Sequence, residues 1–192
     1  MPTLQEQFII SITSHDRVGI IYEVTRASGS LGGNIADIRQ SVLCGYFSMI
    51  LLASFPPKTT RRSIEGKLAE VDSNSESAIE TVVRKAENNV LSYNSSVPEN
   101  AYVLTATGHD RIGFVATIAL FCVQHNINII DLSTTVSNGA YVMILILDLN
   151  HIASIYEMRR DLQKFSSEND VTVMLQHYDI FRAVNEINPP IR

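Results

Sequence analysis

The sequence predicts an α+β protein built from two similar βαββαβ domains, each an antiparallel sheet with helices on one face. The first observation behind this prediction is a repeat, because HDRVG at residues 15–19 returns as HDRIG at residues 109–113. The second is its register, since the same offset aligns residues 8–55 with residues 102–149 without a gap. The third is that strand-like and helix-like patterns follow one another in the same order in both copies.

Both copies open with a strand and then a helix. QFIISIT at 7–13 and AYVLTAT at 101–107 are rich in the β-branched and aromatic residues that suit a pleated surface. After the repeated loop, the apolar residues change to helical spacing, which predicts an amphipathic helix that ends at SGSLGG in the first copy and at HNIN in the second. The apolar stripe comprises Val18, Ile21, Val24 and Leu31 in the first copy and Val115, Ile118 and Cys122 in the second.

A β-hairpin follows this helix in each copy. Apolar strands flank Cys44-Gly45 in the first copy and Asn138-Gly139 in the second, and Asn-Gly is the strongest short-range hairpin signal. The third strands, FSMILLA and YVMILIL, are apolar on both alternating faces, whereas a strand with one solvated face should alternate with polar residues. Since helices cover only one face, we expect the other to be covered by packing of the two domains together or by pairing with another chain.

The second copy closes with a helix and a fourth strand, which completes a ferredoxin-like sandwich. NDVTVMLQH at 169–177 is typical of the strand, and a short amphipathic helix is expected at 179–187, before Pro189. The preceding helix is predicted from the spacing of Ile152, Ile155, Met158, Leu162 and Phe165.

The first copy is longer at this point, so we expect an extra helix near residues 60–72 and then a further helix that starts at a capping box formed by Ser73 and Glu76. NVLSYNS at 89–95 is then the expected fourth strand. The extra helix rests on Ile64, Leu68 and Val71, and the further helix on Ile79, Val82, Val83 and Ala86. With the polar NSSVPEN as the linker, the predicted domains are 1–96 and 97–192.

Composition excludes several classes of protein. A formal net charge of -5 and a pI near 5.5 count against direct binding of nucleic acid, and the aromatic pattern of RNA-binding βαββαβ domains is missing. The longest apolar run is too short to cross a bilayer and the N-terminus lacks the pattern of a signal peptide, so we expect a cytoplasmic protein without a membrane partner. Two distant cysteines indicate buried free thiols, and no pattern indicates a metal, a cofactor or a catalytic residue.

The order of these motifs resembles a known family. A strand followed by HDRVGI or HDRIGF, then NIADI or NINIID, then a hairpin ending in FSMILL or YVMILI is similar to the ACT domain, an amino-acid-sensing module of metabolic regulation. The tandem arrangement resembles the glycine-cleavage-system transcriptional repressors, and the second copy resembles free-standing bacterial ACT proteins. Valine and isoleucine stand where the family loop usually has proline, and aspartate stands where family sites often have asparagine.

The repeated loop is the candidate ligand site. Asp16 and Asp110 are predicted as helix N-caps, behind which unsatisfied N–H groups attract a carboxylate, while the aspartate attracts an ammonium group. Asn34 and Asn128, at the start of the second strands, are expected at the same end of the sheet and offer an amide donor and acceptor. Loop and asparagines together would contact both ends of a zwitterion. The alternative is that the aspartates only cap the helices and that His15 and His109 are merely solvated. Arg17 and Arg111 would then cover the start of the helix or pair with Asp37 and Asp131. The full candidate set is His15, Asp16, Arg17, Val18, Gly19, Asn34 and Ile35, with His109, Asp110, Arg111, Ile112, Gly113, Asn128 and Ile129.

Together with the resemblance, these residues predict a regulatory protein that binds a small amino acid of the glycine or serine type at ACT domain interfaces. It would signal to a protein partner, as a homodimer or through an intramolecular ACT pair, in transcriptional control of amino-acid metabolism. The alternative is a protein–protein interaction or dimerisation module that binds no ligand. An enzyme is the weakest interpretation, since no nucleophile or metal pattern is recognisable.

Overall fold

A computed structural model describes residues 5–71, 78–86, 97–137 and 139–185 of the chain. The chain divides into two compact units, Met1–Tyr93 and Asn94–Arg192. Each unit contains a four-stranded antiparallel sheet, and the strands and helices follow the predicted order βαββαβ. The two units therefore share one α+β, ferredoxin-like topology.

The first domain has strand order β2-β3-β1-β4, so β1 and β3 lie in the centre and β2 and β4 at the edges. Strands β1 and β2 both pair antiparallel with β3 and are therefore parallel to each other. Its elements are β1 (Glu6–His15), α1 (Ile20–Ser30), β2 (Asn34–Leu43), β3 (Tyr46–Phe55), α2 (Arg61–Val71) and β4 (Glu80–Lys85).

The core of the first domain lies between the sheet and its two helices. Alternate residues of β1 and β3 point into it, as the period of two in a strand requires. The buried stripe of α1 starts at Ile20 and continues through Val24 and Ala27. The predicted stripe was wrong at its beginning, because Val18 precedes the helix and is fully exposed, and Ile21 faces outward.

The end of the first domain differs from the prediction. Residues 80–85 form strand β4, which pairs with β1 through Ile10 and Val83, so the further helix predicted around Ile79 and Ala86 is wrong. The helix expected as an addition near 60–72 is α2, and it occupies the ordinary second helix position between β3 and β4. The expected strand at 89–95 and the capping box at 73 and 76 lie outside the described residues.

The second domain repeats this arrangement with strand order β6-β7-β5-β8. Its core includes Phe114, Ile118 and Cys122 from the first helix and Met158 and Leu162 from the second. A short helix, α5, follows the last strand and contacts β5 and β8. The elements are β5 (Ala101–His109), α3 (Phe114–Gln124), β6 (Asn128–Ser137), β7 (Ala140–Asp148), α4 (Ile155–Asn169), β8 (Thr172–His177) and α5 (Tyr178–Asn185).

The sheet face away from the helices is mixed in character. In the first domain Ile50 and Val82 are exposed on it, yet Ser48 and Arg84 share the same face. In the second domain the corresponding residues of β7 are half-buried. The prediction that this face packs against a second domain or chain stays a prediction.

Both domains carry the same irregularity in their outer strand. The pairing of β2 with β3 shifts register between Ile35 and Asp37, and the pairing of β6 with β7 shifts between Ile129 and Asp131. Each shift is a β-bulge, in which one additional residue enters the edge strand.

Candidate functional site

The repeated loop connects the first strand of each domain to the following helix. Gly19 and Gly113 occupy the N-cap positions with φ of 94° and 86°, in the left-handed region that glycine adopts at no steric cost. Their carbonyl oxygens accept the first helical hydrogen bonds, from the N–H groups of Glu23 and Thr117. The predicted N-caps were wrong, because the aspartate of each loop precedes the capping glycine by three residues.

In the first domain this loop is tied to the β2–β3 turn. The N–H of Asp16 donates to the carbonyl oxygen of Gly45 over 2.8 Å, and the ring of His15 lies against that of Tyr46 with 4.6 Å between centroids. His15 and Tyr46 also pair across the central strands. These contacts hold the loop at the end of the sheet where β1 finishes.

The arginines of the two loops have different partners. Arg17 forms an ion pair with Glu23 in the first turn of α1, with 2.6 Å between Nη2 and Oε2. Arg111 instead donates from Nη2 to the carbonyl oxygen of Asn169, at the C-terminus of α4, over 2.7 Å. Arg17 thus lies at the start of the helix, which was one of the two expected positions. Pairing with Asp37 and Asp131 was wrong, since both aspartates lie toward the opposite end of their sheets.

Val18 and Ile112 are the most exposed apolar side chains of the described residues, and both project fully into solvent. A fully exposed β-branched residue beside an exposed aspartate occurs in each copy. The loops thus present a small apolar contact and a carboxylate together, next to the start of a helix.

The candidate residues on the second strand of each domain do not join the loop. Asn34 pairs with Ser54, near the beginning of β1, whereas the loop follows His15 at the end of β1. With about 3.3 Å per residue, roughly 25 Å of strand separates the two places within a domain. Asn128 is placed in the same way by its pairing with Asp148. The expectation that these asparagines lie at the loop end of the sheet was therefore wrong within each domain. Ile35 and Ile129, which follow the asparagines, are equally far from the loop.

A cleft of about 430 Å³ lies at the loop end of the second domain. Of the predicted site residues only His109 lines it. The remaining walls come from the end of β5, the β6–β7 turn and the segment that joins α4 to β8, and they include Thr107, Ala140, Ser166, Asp170 and Thr172. Sequence reasoning missed these residues because the pairing of β8 with β5 brings them together. No local motif predicts that pairing.

Two residues of the second copy are smaller than their counterparts in the first. Ala140 stands at the position of Tyr46 in the first copy, and both pair with the histidine of their loop. Gly108 stands at the position of Ser14, and a Cβ atom there would lie 2.7 Å from Cε2 of Phe114. In the first domain the Tyr46 ring occupies the equivalent place beside His15.

Two hydrogen bonds fix the end of α4, which forms one wall of the cleft. Asp170 ends the helix in the left-handed conformation at φ 51°, and its N–H donates to the carbonyl oxygen of Ser166. The hydroxyl of Ser166 in turn donates to the carbonyl oxygen of Val171. Asp170 is exposed, and it is the one acidic residue among those that line the cleft.

The thiols have contrasting surroundings. Cys122 is buried in the second core, and burial raises the pKa of its thiol to about 11. Cys44 is exposed in the β2–β3 turn, so the prediction of two buried thiols was wrong for this residue.

Among the residues that the structure describes, no group of three His, Cys, Asp or Glu side chains is arranged to hold a metal ion. None of the described helices combines the length and the hydropathy that crossing a bilayer requires.

The βαββαβ topology, with the same loop after the first strand in both units, places the two domains in the ferredoxin-like class. Comparison with known families agrees, because the ACT domain matches residues 6–89 and again residues 100–176. This chain belongs to the ACT domain family, with two copies in tandem.

Relatives and solved structures are consistent with this assignment. A UPF0237 protein of Methanopyrus kandleri is 38% identical over 86 residues, which are 44% of this chain and 96% of the relative, and one of Clostridium perfringens is 29% identical over the same length, covering 97% of that relative. A crystal structure of a protein provisionally described as a glycine cleavage system transcriptional repressor has a TM-score of 0.70 at 18% identity, over 90% of this chain and 97% of the other. An unknown protein from Galdieria sulphuraria has a TM-score of 0.69 at 22% identity, over 90% and 98%. These two structures share the fold of the chain.

Proposed function

We propose that this chain is a cytoplasmic, non-enzymatic regulator that senses a small amino acid of the glycine or serine type and signals to a protein partner in the control of amino-acid metabolism. The observation that carries the proposal is the loop built twice with one geometry, its capping glycines at φ 94° and 86°. Membership of the ACT domain family supports the regulatory class.

The loop has groups suited to both ends of a zwitterion. With glycine as the N-cap, the N–H groups at the start of each helix are not capped by a side chain, and such N–H groups attract a carboxylate. Asp16 and Asp110 are exposed beside them and attract an ammonium group. For a ligand as small as glycine, a ceiling of ~1.5 kcal/mol per heavy atom limits the binding free energy to roughly 7 kcal/mol, which places Kd in the micromolar range.

Asparagines on the second strands can complete this site only from another domain. Asn34 and Asn128 lie far from the loop of their own domain. Within the proposal, a neighbouring domain or a second copy brings an edge strand to the loop, and Val18 and Ile112 contact it. Ligand binding at such a place favours one arrangement of the domains, which is how the signal reaches the partner.

A second candidate function is favoured by the outer face of α3. This helix has no charged residue, and Leu120 and Val123 are exposed at positions where α1 has Arg26 and Gly29. An apolar face of this kind is typical of protein–protein contacts. The second candidate is therefore an interaction or dimerisation module in which the loops serve only the fold.

Isothermal titration calorimetry of the full chain against the twenty amino acids distinguishes the two. The sensor predicts binding by one or a few small amino acids, and weaker binding when Asp16→Asn and Asp110→Asn are combined. Glu70→Gln combined with Glu168→Gln removes the same charge from exposed helix positions and should leave binding unchanged. If no amino acid binds the native chain, or if both double variants bind equally, the sensing site is not in these loops.

A further inference from the structure

We propose that Arg111 of the second loop recognises the carboxylate of the ligand, and that Arg17 of the first loop does not, because Glu23 already occupies it. This inference deepens the proposed function and rests on it for an amino acid as the source of the carboxylate. It assigns the ligand to the second copy alone and leaves the ammonium group beside Asp110.

The first copy shows which chemical group the arginine of this loop binds. Arg17 forms an ion pair with the carboxylate of Glu23, with 2.6 Å between Nη2 and Oε2. The two side chains are only 25% and 37% exposed, so the pair is partly shielded from solvent. The first copy therefore supplies its own carboxylate at the start of α1.

The second copy has the same backbone without that carboxylate. Glu23 and Thr117 occupy equivalent places, because each donates its N–H group to the carbonyl oxygen of the capping glycine, over 3.0 Å and 2.9 Å. The Thr117 hydroxyl donates to the carbonyl oxygen of Gly113, so this side chain folds back along its own helix. The first turn of α3 thus supplies a hydroxyl where the first turn of α1 supplies a carboxylate.

Arg111 has a partner that a carboxylate can replace. It is exposed, and its Nη2 donates to the carbonyl oxygen of Asn169 over 2.7 Å. A carboxylate is the stronger partner for a guanidinium group, because it carries a full charge and accepts two parallel N–H bonds. A ligand at the start of α3 would therefore draw Arg111 away from Asn169, and the end of α4 would lose this contact when the ligand binds.

The charges of the two loops favour the same copy. In the first copy Glu23 adds a second carboxylate to that of Asp16, so the acidic groups outnumber Arg17. In the second copy Asp110 and Arg111 balance each other. A ligand carboxylate is therefore repelled less at the second loop than at the first.

Matched substitutions exchange the properties of the two copies. Arg111→Ala removes the proposed partner of the ligand, and Arg17→Ala is its control in the same motif. Thr117→Glu gives the second copy the carboxylate of the first, and Thr117→Gln adds a side chain of the same length without the charge. Glu23→Thr removes the internal carboxylate from the first copy.

Calorimetry of the full chain with the amino acid that binds best should give one ligand per chain. We expect affinity to fall about tenfold or more in Arg111→Ala and in Thr117→Glu, as when a hydrogen bond to a charged group is lost. Affinity should stay near that of the native chain in Arg17→Ala and Thr117→Gln, and Glu23→Thr should add a second ligand. Two ligands per native chain, native-like affinity in Arg111→Ala, or no added ligand in Glu23→Thr would overturn the inference and leave the proposed function standing.

If the native chain binds no amino acid, the proposed function fails and sodium acetate tests Arg111 separately. The Asp170 amide shares a peptide group with the Asn169 carbonyl, so two-dimensional NMR of the full chain reports when Arg111 leaves that oxygen. Acetate should shift the amide signals of Arg111 and Asp170, whereas sodium chloride at the same ionic strength should not. Absence of these shifts, or an Asp170 shift of the same size in Arg111→Ala, overturns the inference.

Discussion

Arg111 donates a hydrogen bond to the carbonyl oxygen of Asn169, which links the repeated loop of the second domain to the C-terminal turn of α4. In the first domain the equivalent arginine pairs with Glu23. The position of Glu23 is Thr117 in the second copy, and the Thr117 hydroxyl donates to the carbonyl oxygen of Gly113. Loss of one carboxylate has thus accompanied a change of partner for the arginine, although the loop sequence is almost the same.

We expect Arg111→Ala to lower the free energy of unfolding of the second domain by about 0.5–1 kcal/mol, because a cation at a helix C-terminus contributes about that much when it is exposed. Urea denaturation followed by circular dichroism measures the change. Lys164→Ala removes an exposed cation from α4 itself and should lower the free energy of unfolding by less than about 0.5 kcal/mol. Equal effects of the two substitutions would show that the contact with Asn169 adds nothing.

Gly33 and Gly66 should respond in opposite directions to alanine. A Cβ atom on Gly33 would lie 2.6 Å from Cε1 of Phe55 and 2.7 Å from the carbonyl oxygen of Ser28, so we expect Gly33→Ala to destabilise the first domain by about 1–3 kcal/mol. A Cβ atom on Gly66 meets nothing within 4 Å, and this glycine lies inside α2. Gly66→Ala should stabilise the domain by about 0.5–1 kcal/mol. Thermal and urea unfolding of both variants check the signs, and the same sign for both would contradict the packing described.

Cys122 should make the second domain less stable at high pH. Its pKa lies above the ordinary value of 9.0, at about 11 in the fold, so the folded state holds the thiol proton that the unfolded state loses. The free energy of unfolding should therefore fall as pH rises from about 9 to about 11, by up to about 2 kcal/mol. The measurement compares the native chain with Cys122→Ala, because the two proteins differ in this thiol alone. Parallel pH profiles would rule out this contribution. Under native conditions a thiol reagent should modify Cys44 and leave Cys122 intact.

Cys44 occupies a backbone conformation that suits a different residue. Its φ is 51° in the β2–β3 turn, where asparagine is favoured, and the second copy has Asn138 at the equivalent position. We expect Cys44→Asn to stabilise the first domain by about 0.5 kcal/mol and Cys44→Val to destabilise it by about 1–2 kcal/mol, because a β-branched residue is strained at positive φ. Melting temperatures of the two variants provide the measurement. A valine variant as stable as the native chain would mean that the turn changes conformation.

The repeat made the topology predictable, since it showed the same order of elements twice and a hairpin between apolar strands. The segment around Val82 and Val83 was not predictable from spacing alone. Its apolar residues fit helical spacing as well as a strand, and the choice depends on Val83 meeting Ile10 of the central strand. That contact joins residues far apart in the sequence, so no local pattern contains it.

The positions of the candidate residues, though not their role, can be compared with the prediction. The loops between the first strand and the helix follow from the repeated motif, but the aspartates were expected as N-caps and Asn34 was placed at the wrong end of the sheet. Strands β1 and β2 are parallel, so the start of β2 lies beside the start of β1 and the loop lies at the other end. The topology itself implies this separation. Asp170 and Ala140 were missed because their proximity depends on long-range strand pairing.

The bulges at Ala36 and Ile130 disfavour pairing of these edge strands with a strand from another chain. Each adds one residue to an outer strand, which bends and twists that strand, so a foreign strand finds no straight ladder of free amides to extend. Deleting either residue would turn the side chains before it to the opposite side of the sheet and straighten the border. We therefore expect the insertion to disfavour pairing between the ten-residue outer strands of different chains.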